Sequence, residues 1–552
     1  MSQWEAAFVV TLSLLFCIHG QLDNLGFISI DCGYITRPSY PDFKTNLTYV
    51  ADVGFTNTGF IHTVDVGNLQ RDLAQRYTTV RYFPNGTRNC YTLKQLTRGG
   101  KYLVRATFGY GNYDAFNSPP AFDLYLGANY WVKVNITNSS RAYVHETIAV
   151  SPSEFLQVCL VNTGSGTPFI SGLDLRSLPA NFYPEANVAQ SLVLLSFFRE
   201  TVSFGFNRFH FGTDEHHIRY PVDRYDRFWQ RYEDIPGWED VPDKINGTVK
   251  SPQNDTYGAP SDLMRSASTA VNASRMDLPW SSDASMDVGI GPEYIVVLYF
   301  AEVQAISDNL LRQFLVSVDN TPLAAAFSPR HMLADVFSGT VLGSDQHSIS
   351  LITTIISDLP PLISAMEIFL GRTLNESSTG SSDAIAMMTI QTKYSVKRNW
   401  EGDPCAPEAF VWDGLSCIHT SIGDIQYNPR GFVPESEDEA CGGDPNSEPS
   451  PDGCVVPDFE DEACGSDPDS ELPPDGCIVP DSEDEACGGD PDSELPPNGG
   501  FVPKSEEKAC GGDPTPNHLL TAASSLNSRM RRVAATPTPS CLPTAAPSLV
   551  GM

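Results

Sequence analysis

With 552 residues, 41% of them apolar and including 21 Tyr and 29 Phe, the chain has material for roughly three or four domains with large cores. Acidic residues outnumber basic ones by 68 to 35, and the net charge of -33 makes nucleic acid and anionic membrane surfaces poor candidate partners. The charge is uneven: 22 Asp and Glu, with no Lys or Arg, lie between Phe432 and Gly500, so the preceding part is only mildly acidic.

Residues 1–20 carry an apolar run from Ala6 to Ile18, too short to span a bilayer comfortably, and end in small residues near Gly20-Gln21. This is the pattern of a secretory signal peptide, although the segment before the run has Glu5 and no basic residue. Eight Asn-x-Ser/Thr sequons follow, at Asn46, Asn85, Asn135, Asn138, Asn246, Asn254, Asn272 and Asn375, all before Cys405. Behind a signal-like segment they predict a secreted or cell-surface glycoprotein with sequons on exposed loops and strand edges.

Short strand-like runs come next, at Gly26 to Gly33, Tyr49 to Asp52, Phe83 to Tyr91 and Phe155 to Leu160, separated by Gly, Asn and Pro turns. Short strands with frequent turns and few helical runs predict an antiparallel β-sandwich or jelly roll. The order then repeats. Tyr102 to Phe108 and Phe122 to Leu126 are matched by Tyr294 to Phe300 and Phe314 to Val318, with Tyr102 and Tyr294, like Phe122 and Phe314, 192 positions apart. Pro168 to Leu175 is matched by Pro361 to Ile368 at a spacing of 193. A spacing held this long predicts duplication of one β-rich domain, with copies over 21–195 and 196–374.

Here the residues match a family. GFISIDCG, RYFPNGTRNCYTL, FDLYLGANYWVKV and LQVCLVNTGSGTPFISGLDLR in the first copy, and IRYPVDRYDRFW (Ile218 to Trp229) with LPW (Leu278 to Trp280) at the link, resemble the malectin-like extracellular region of plant leucine-rich-repeat receptor-like kinases. The resemblance covers Gly26 to about Cys417 and implies two tandem malectin-like β-sandwiches that act in ligand perception. The partner so implied is a cell-wall glycan or a secreted peptide, with a membrane receptor kinase as a further partner; no cofactor and no catalytic residue is implied. Such a sandwich carries its ligand on loops at one rim, where rings stack on the apolar faces of sugars and carboxylates bind hydroxyls. Tyr110, Tyr113 and Asp114 in the loop Gly109 to Asp114, and Tyr130 and Trp131 in the next run, are the candidate carbohydrate-binding residues, set against the general tendency of strand aromatics to be core. In the second copy Ala301-Glu302-Val303-Gln304 replaces the tyrosine-rich loop, so a sugar site belongs to the first copy or to the cleft between the two. Adjacent His216 and His217 point to opposite strand faces, which makes joint metal ligation awkward.

Over 382–417 the pattern changes. Ile385, Met388 and Ile390 suit a short amphipathic helix capped by Ser or Asp, and Cys405 and Cys417, twelve positions apart in a secreted chain, predict a disulfide. The unit resembles the cap before leucine-rich repeats in the same receptors. Gly402-Asp403-Pro404-Cys405 matches a family motif implicated in release of the malectin-like part, and by its residues reads as a tight turn into that cap. From Ile418 onward no leucine-rich-repeat pattern, no apolar run of 18 and no kinase signature is visible, so transfer of a phosphate is not expected. Instead 432–515 holds 23-residue repeats, with Cys441, Cys464, Cys487 and Cys510 in step, and 516–552 is rich in Ala, Thr and Pro. Dense charge with few apolar residues predicts disorder over both. Calcium and zinc are both disfavoured there, because Leu472 stands where a calcium loop needs Gly and no Cys-x-x-Cys occurs. The reading is thus a non-enzymatic extracellular binding module, a receptor ectodomain without its span and kinase. Its alternatives are an accessory module of a carbohydrate-active enzyme and a truncated product without a role of its own.

Overall fold

The computed structural model describes residues 25–417, apart from 70–72, 196–207, 213–216, 233–236, 242–246, 272–273, 282–290, 344–345, 395 and 397–398, together with 433–434. The signal-like segment 1–20, His216, the sequons at Asn246 and Asn272 and almost all of the tail over 432–552 lie outside the described residues.

The chain is mainly β. Its first half contains β1 (Phe27–Asp31), β2 (Ser39–Pro41), β3 (Thr48–Ala51), β4 (Phe60–Thr63), β5 (Thr79–Tyr82), β6 (Arg88–Lys94) and β7 (Lys101–Gly109). It continues through β8 (Ala121–Leu126), β9 (Asn129–Asn135), β10 (Ala142–Val150), β11 (Phe155–Ser165), β12 (Phe169–Ile170) and β13 (Gly172–Leu178). After β14 (Gln190–Leu194) the second half contains β15 (Arg208–His210), β16 (Gln230–Arg231), β17 (Trp238–Asp240), β18 (Ser268–Ala270), β19 (Arg275–Ser281) and β20 (Glu293–Phe300). It closes with β21 (Phe314–Val318), β22 (Thr321–Phe327), β23 (Asp335–Leu342), β24 (Gln346–Thr353), β25 (Leu362–Ile363) and β26 (Ala365–Thr373), and helix α1 (Ser381–Lys393) follows.

The strand pairing of the two halves corresponds. β7 lies between β10 and β13, and β20 between β23 and β26. The sheet β6-β11-β8-β9 has its counterpart in β19-β24-β21-β22, and β12-β5-β4 in β25-β18-β17. Even the parallel pair β1 with β3 recurs as β15 with β16.

The halves are nevertheless not separate beads. β14, which ends beside the expected boundary at 195, is shared: one edge pairs with β10 and the other with β26, making a single 12-stranded sheet. Val193 enters the main core, which holds Val104, Phe108 and Phe169 of the first half together with Val296, Leu298 and Leu370 of the second. Leu192 and Leu194 point into a second cluster with Leu103, Ile148, Ile295 and Phe369. Burial on both faces explains why Leu192-Val193-Leu194-Leu195 is continuously apolar rather than alternating. Each such side chain contributes about 1.5–3 kcal/mol.

A buried ionic network crosses the same junction. Arg105 of β7 pairs with Glu146 of β10 at 2.6 Å, with Asp226 at 3.1 Å and with Asp174 of β13 at 3.3 Å. Asp226 also receives Arg176 of β13 at 2.8 Å and Arg219 at 2.9 Å. Arg208 of β15 joins Glu146 to Glu367 of β26, both at 2.5 Å, and Glu367 accepts the hydroxyls of Tyr183 and Tyr299. Arg219 and Asp226 both come from the segment Ile218 to Trp229, where Asp223 further receives Arg227 and the Trp229 indole at 2.8 and 2.7 Å. Burial pushes the Asp226 carboxyl up, but Arg219, Arg176 and Arg105 outweigh it and hold it well below the ordinary range. Glu146 is lowered in the same way, by Arg105 and Arg208 against its burial.

Removing one carboxylate from such a network leaves charge without compensation at a cost of about 3–5 kcal/mol. In urea titrations of the full chain, followed by circular dichroism and tryptophan fluorescence, both probes are expected to report one transition for residues 25–417. Asp226→Asn is expected to move it to lower urea by that amount. Two separate transitions in the unsubstituted protein would contradict the fusion of the halves.

Candidate functional site

The rim of the first half is built on β4, β5 and the loop from Tyr110 to Pro120. β4 and β5 pair with Phe60 opposite Tyr82 and His62 opposite Val80, so Phe60, His62 and Tyr82 share one face. Their rings cluster: Phe60 lies 5.9 Å from Tyr82, and His62 and Tyr82 each lie 5.7 Å from Tyr113. Phe60 is 53% exposed, His62 is exposed and Tyr82 is half-buried, whereas Tyr113 is buried between them and Phe169.

The loop is held from inside. The Tyr110 hydroxyl donates to Asp114 Oδ1 at 2.6 Å, which also accepts the Phe116 N–H at 3.2 Å. Asn112 Nδ2 reaches Asn117 Oδ1 at 2.9 Å, and Asn112 Oδ1 accepts the Asn117 N–H at 2.8 Å. Asn112, Ala115 and Asn117 have φ of 53°, 59° and 52°; for Ala115 that conformation costs about 1–2 kcal/mol. Gly111 is required, since a Cβ there would lie 2.4 Å from Val64 Cγ1. The result is a fixed loop that presents Phe116, 76% exposed, three residues after Tyr113.

The candidate residues named from the sequence take different places in the structure. Tyr110, Tyr113 and Trp131 are core side chains and offer no open ring face, because the sandwich needs those volumes inside. Asp114 is half-buried and engaged by Tyr110. Tyr130 and Trp131 belong to β9, in the β6-β11-β8-β9 sheet; the half-buried Tyr130 ring carries the Arg372 guanidinium at 5.1 Å and meets Tyr125 at 5.7 Å. Tyr110, Tyr113 and Asp114 are therefore brought together, and the other two are not part of that loop. Phe60, His62, Tyr82 and Phe116 were not singled out from the sequence. The alternation in Phe60-Ile61-His62 was the available signal, but a strand of four residues after a glycine is easily passed over.

In the second half the equivalent loop is sealed. Glu302 pairs with the buried Arg312 at 2.8 Å, and Arg312 also donates to Gln304 Oε1 and to the Pro360 carbonyl.

The cap docks on the first half, not on the second that precedes it. α1 begins at Gly380 without a side-chain cap and buries Ala384 and Met387; Ile385 and Ile390 are exposed, so the buried face differs from the one predicted. Cys405 and Cys417 are bonded, S–S 2.05 Å, and Trp400 stacks on Trp412 at 4.9 Å. Arg88 of β6 donates to the Ala406 and Gly127 carbonyls, and Asn129 exchanges two hydrogen bonds with the Glu376 backbone. Gly402 has φ 76° and lies against Arg88, so close that a Cβ would stand 2.4 Å from Cζ. Asp403 accepts the N–H groups of Thr379, Cys405 and Ala406, which gives the Gly-Asp-Pro-Cys stretch its turn. A second disulfide, Cys90–Cys159, links directly opposed residues of β6 and β11, while Cys32 is buried and free; three cysteines in one half had left this pairing open. Of the sequon residues described, Asn46, Asn85, Asn138, Asn254 and Asn375 are exposed and Asn135 is half-buried.

Glu401 accepts the Cys90 N–H at 3.2 Å, and burial pushes its carboxyl up to about 7 against the lowering effects of that bond and of Arg88. Asp403 is also raised by burial, while Arg88, lowered by burial to about 10, remains a cation. A carboxyl raised in the docked state favours docking most below its free value of 4.5, and that contribution is lost as pH rises through about 7. The junction carboxylates are lowered instead, so their contribution is complete above their free values and unchanged over this window. Hydrogen exchange in residues 376–417 is expected to quicken between pH 5 and 7.5, after correction for intrinsic rates, with β14 unaffected. Glu401→Gln is expected to flatten that dependence; a dependence that persists in the variant would contradict the assignment.

A family model described as Malectin-like domain matches residues 30–370. A probable LRR receptor-like serine/threonine-protein kinase of Arabidopsis thaliana is 36% identical over 436 residues, which cover 76% of this chain and 46% of that protein. The LRR receptor-like serine/threonine-protein kinase IOS1 of the same plant is 36% identical over 417 residues, covering 74% and 43%. The chain thus spans less than half the length of these curated relatives. Among solved structures, the plant receptor-like kinase FER aligns with TM-score 0.51 at 18% identity, covering 63% of this chain and 96% of that one. The ANX2 ectodomain from Arabidopsis thaliana gives TM-score 0.51 at 15% identity, covering 63% and 97%. At these identities the likeness is one of fold.

Proposed function

The chain belongs to the malectin-like family, and from that premise we propose that it is a non-catalytic extracellular module that perceives a ligand on the rim of its first half. The observation that carries this reading is the partly open aromatic cluster of Phe60, His62 and Tyr82 beside a loop fixed by Tyr110 and Asp114. Exposed rings on a rigid frame lose little entropy on binding and offer flat apolar area next to polar edges. A ligand that suits them has an apolar face bordered by hydroxyls or amides, as a cell-wall oligosaccharide or an extended secreted peptide has. The sealed loop around Glu302 and Arg312 directs the ligand to the first half rather than the second. Tyr110, Tyr113 and Asp114 serve here by holding the loop, and a membrane receptor kinase is a partner of the occupied module. Sugars on the exposed asparagines, Asn85 included, keep the remaining surface solvated.

The test is binding of the full chain to a panel of plant cell-wall oligosaccharides and to secreted plant peptides, measured by interferometry. Phe60→Ala and Phe116→Ala, at exposed positions, are expected to weaken whichever ligand binds by at least tenfold without changing the thermal midpoint. Lys133→Ala, on the exposed side of β9, is expected to have no effect. Binding that survives both rim substitutions would overturn the placement of the site.

A further inference from the structure

The internal duplication supplies a template for an unfilled position. In the first half the outer edge of β10 is covered by β14, with Thr147 opposite Val193 and Ile148 opposite Leu192. In the second half β23 holds the place of β10. Thr147 stands opposite Val104 and Gly339 opposite Val296, 192 positions on, so Gly339 and Thr340 correspond to Thr147 and Ile148. No strand among the described residues covers that edge: β23 pairs with β20 alone. The segment that follows β26, which by repeat order should supply the missing strand, turns into α1, whose Met387 packs within the cap against Trp400 and Trp412 and whose Met388 meets Gln157 of the first half.

The consequences are visible in the side chains. β10 is almost wholly buried, whereas β23 alternates between half-buried and exposed, and Leu342 is 73% exposed. Ser338 contacts the Tyr257 hydroxyl, so the open stretch begins at Gly339. The Leu323 side chain of β22 lies over Gly339, where a Cβ would stand 2.1 Å from its Cδ2. Exposed edges in proteins are commonly blunted by Lys, Pro or a bulge, and Gly339-Thr340-Val341-Leu342-Gly343 has none of these.

We propose that the edge of β23 at Gly339 to Leu342 is a β-augmentation site for an extended peptide segment with aliphatic residues like those of β14, added as an antiparallel strand. Backbone hydrogen bonds supply the affinity in this mode, and alternate side chains supply the selectivity. The site lies in the second half, away from the rim residues, so loss of one leaves the other measurable.

The probe is a fluorescent synthetic peptide of residues 188–195, Val-Ala-Gln-Ser-Leu-Val-Leu-Leu, with two added lysines for solubility, titrated with the full chain and followed by anisotropy. Saturable binding is expected, with slowed hydrogen exchange over 339–342. N-methylation at Ser191 and Val193, or alternatively at Leu192 and Leu194, blocks one edge of the peptide at a time. One of the two sets is expected to weaken binding at least tenfold and the other to leave it. Thr340→Pro is expected to weaken it at least tenfold while Thr340→Val does not; should the proline variant fail to fold, the methylated pair decides. Absence of saturable binding, indifference to both methylation sets, or sedimentation showing that the edge is taken by a second copy of the chain would each overturn the proposal.

Discussion

Everything in the described structure hangs on the charges buried between the two halves. Asp226 is reached by Arg105, Arg176 and Arg219, and Arg208 ties Glu146 on one half to Glu367 on the other. Ion pairs of this kind stabilise little against an apolar replacement of equal volume, because removing charges from water costs several kcal/mol each. What they do is penalise alternatives. An apolar junction tolerates sliding, whereas here any other arrangement strands a buried charge. Together with β14, paired on both edges, the network turns two copies of one sandwich into a single body.

That fixed body explains how duplicated halves come to differ. The first keeps a rim with open rings, carries the cap on β6 and β9, and has its β10 edge covered. The second has a sealed loop at Glu302 and Arg312 and a β23 edge that no strand among the described residues covers. The cap rests on Arg88 and Cys90 of β6, so the segment leaving the second half is attached to the half proposed to hold the ligand. The titration of Glu401 acts on that attachment alone, because the junction carboxylates are held in the opposite direction.

Much of the fold was legible in the sequence because strand order repeats: the spacing of 192 or 193 between Tyr102 and Tyr294 or Leu173 and Met366 is the spacing of corresponding strands in the two halves. The junction was not. Arg105, Glu146, Asp174 and Arg176 sit at positions where charge on an antiparallel strand ordinarily means a solvated face, and here that face is met by Asp226 and Arg219 of the segment Ile218 to Trp229 and by Arg208. For the same reason the tyrosines of the Gly109 to Asp114 loop could not be told from exposed ones. A ring beside glycines suits a binding loop and suits a plug equally, and Phe169 beneath the loop decides for the plug. Phe60 and His62 lie on a strand too short to show a period, and their meeting with Tyr82 depends on register.

The most direct measurement of the central claim is the distance between the halves in solution. Spin labels placed on the full chain through Phe116→Cys and Ile355→Cys, both at exposed tips, one on each half, report it by pulsed electron resonance. A single narrow distribution that broadens in Asp226→Asn is the predicted result. A broad or two-peaked distribution in the chain with Asp226 intact would contradict the account.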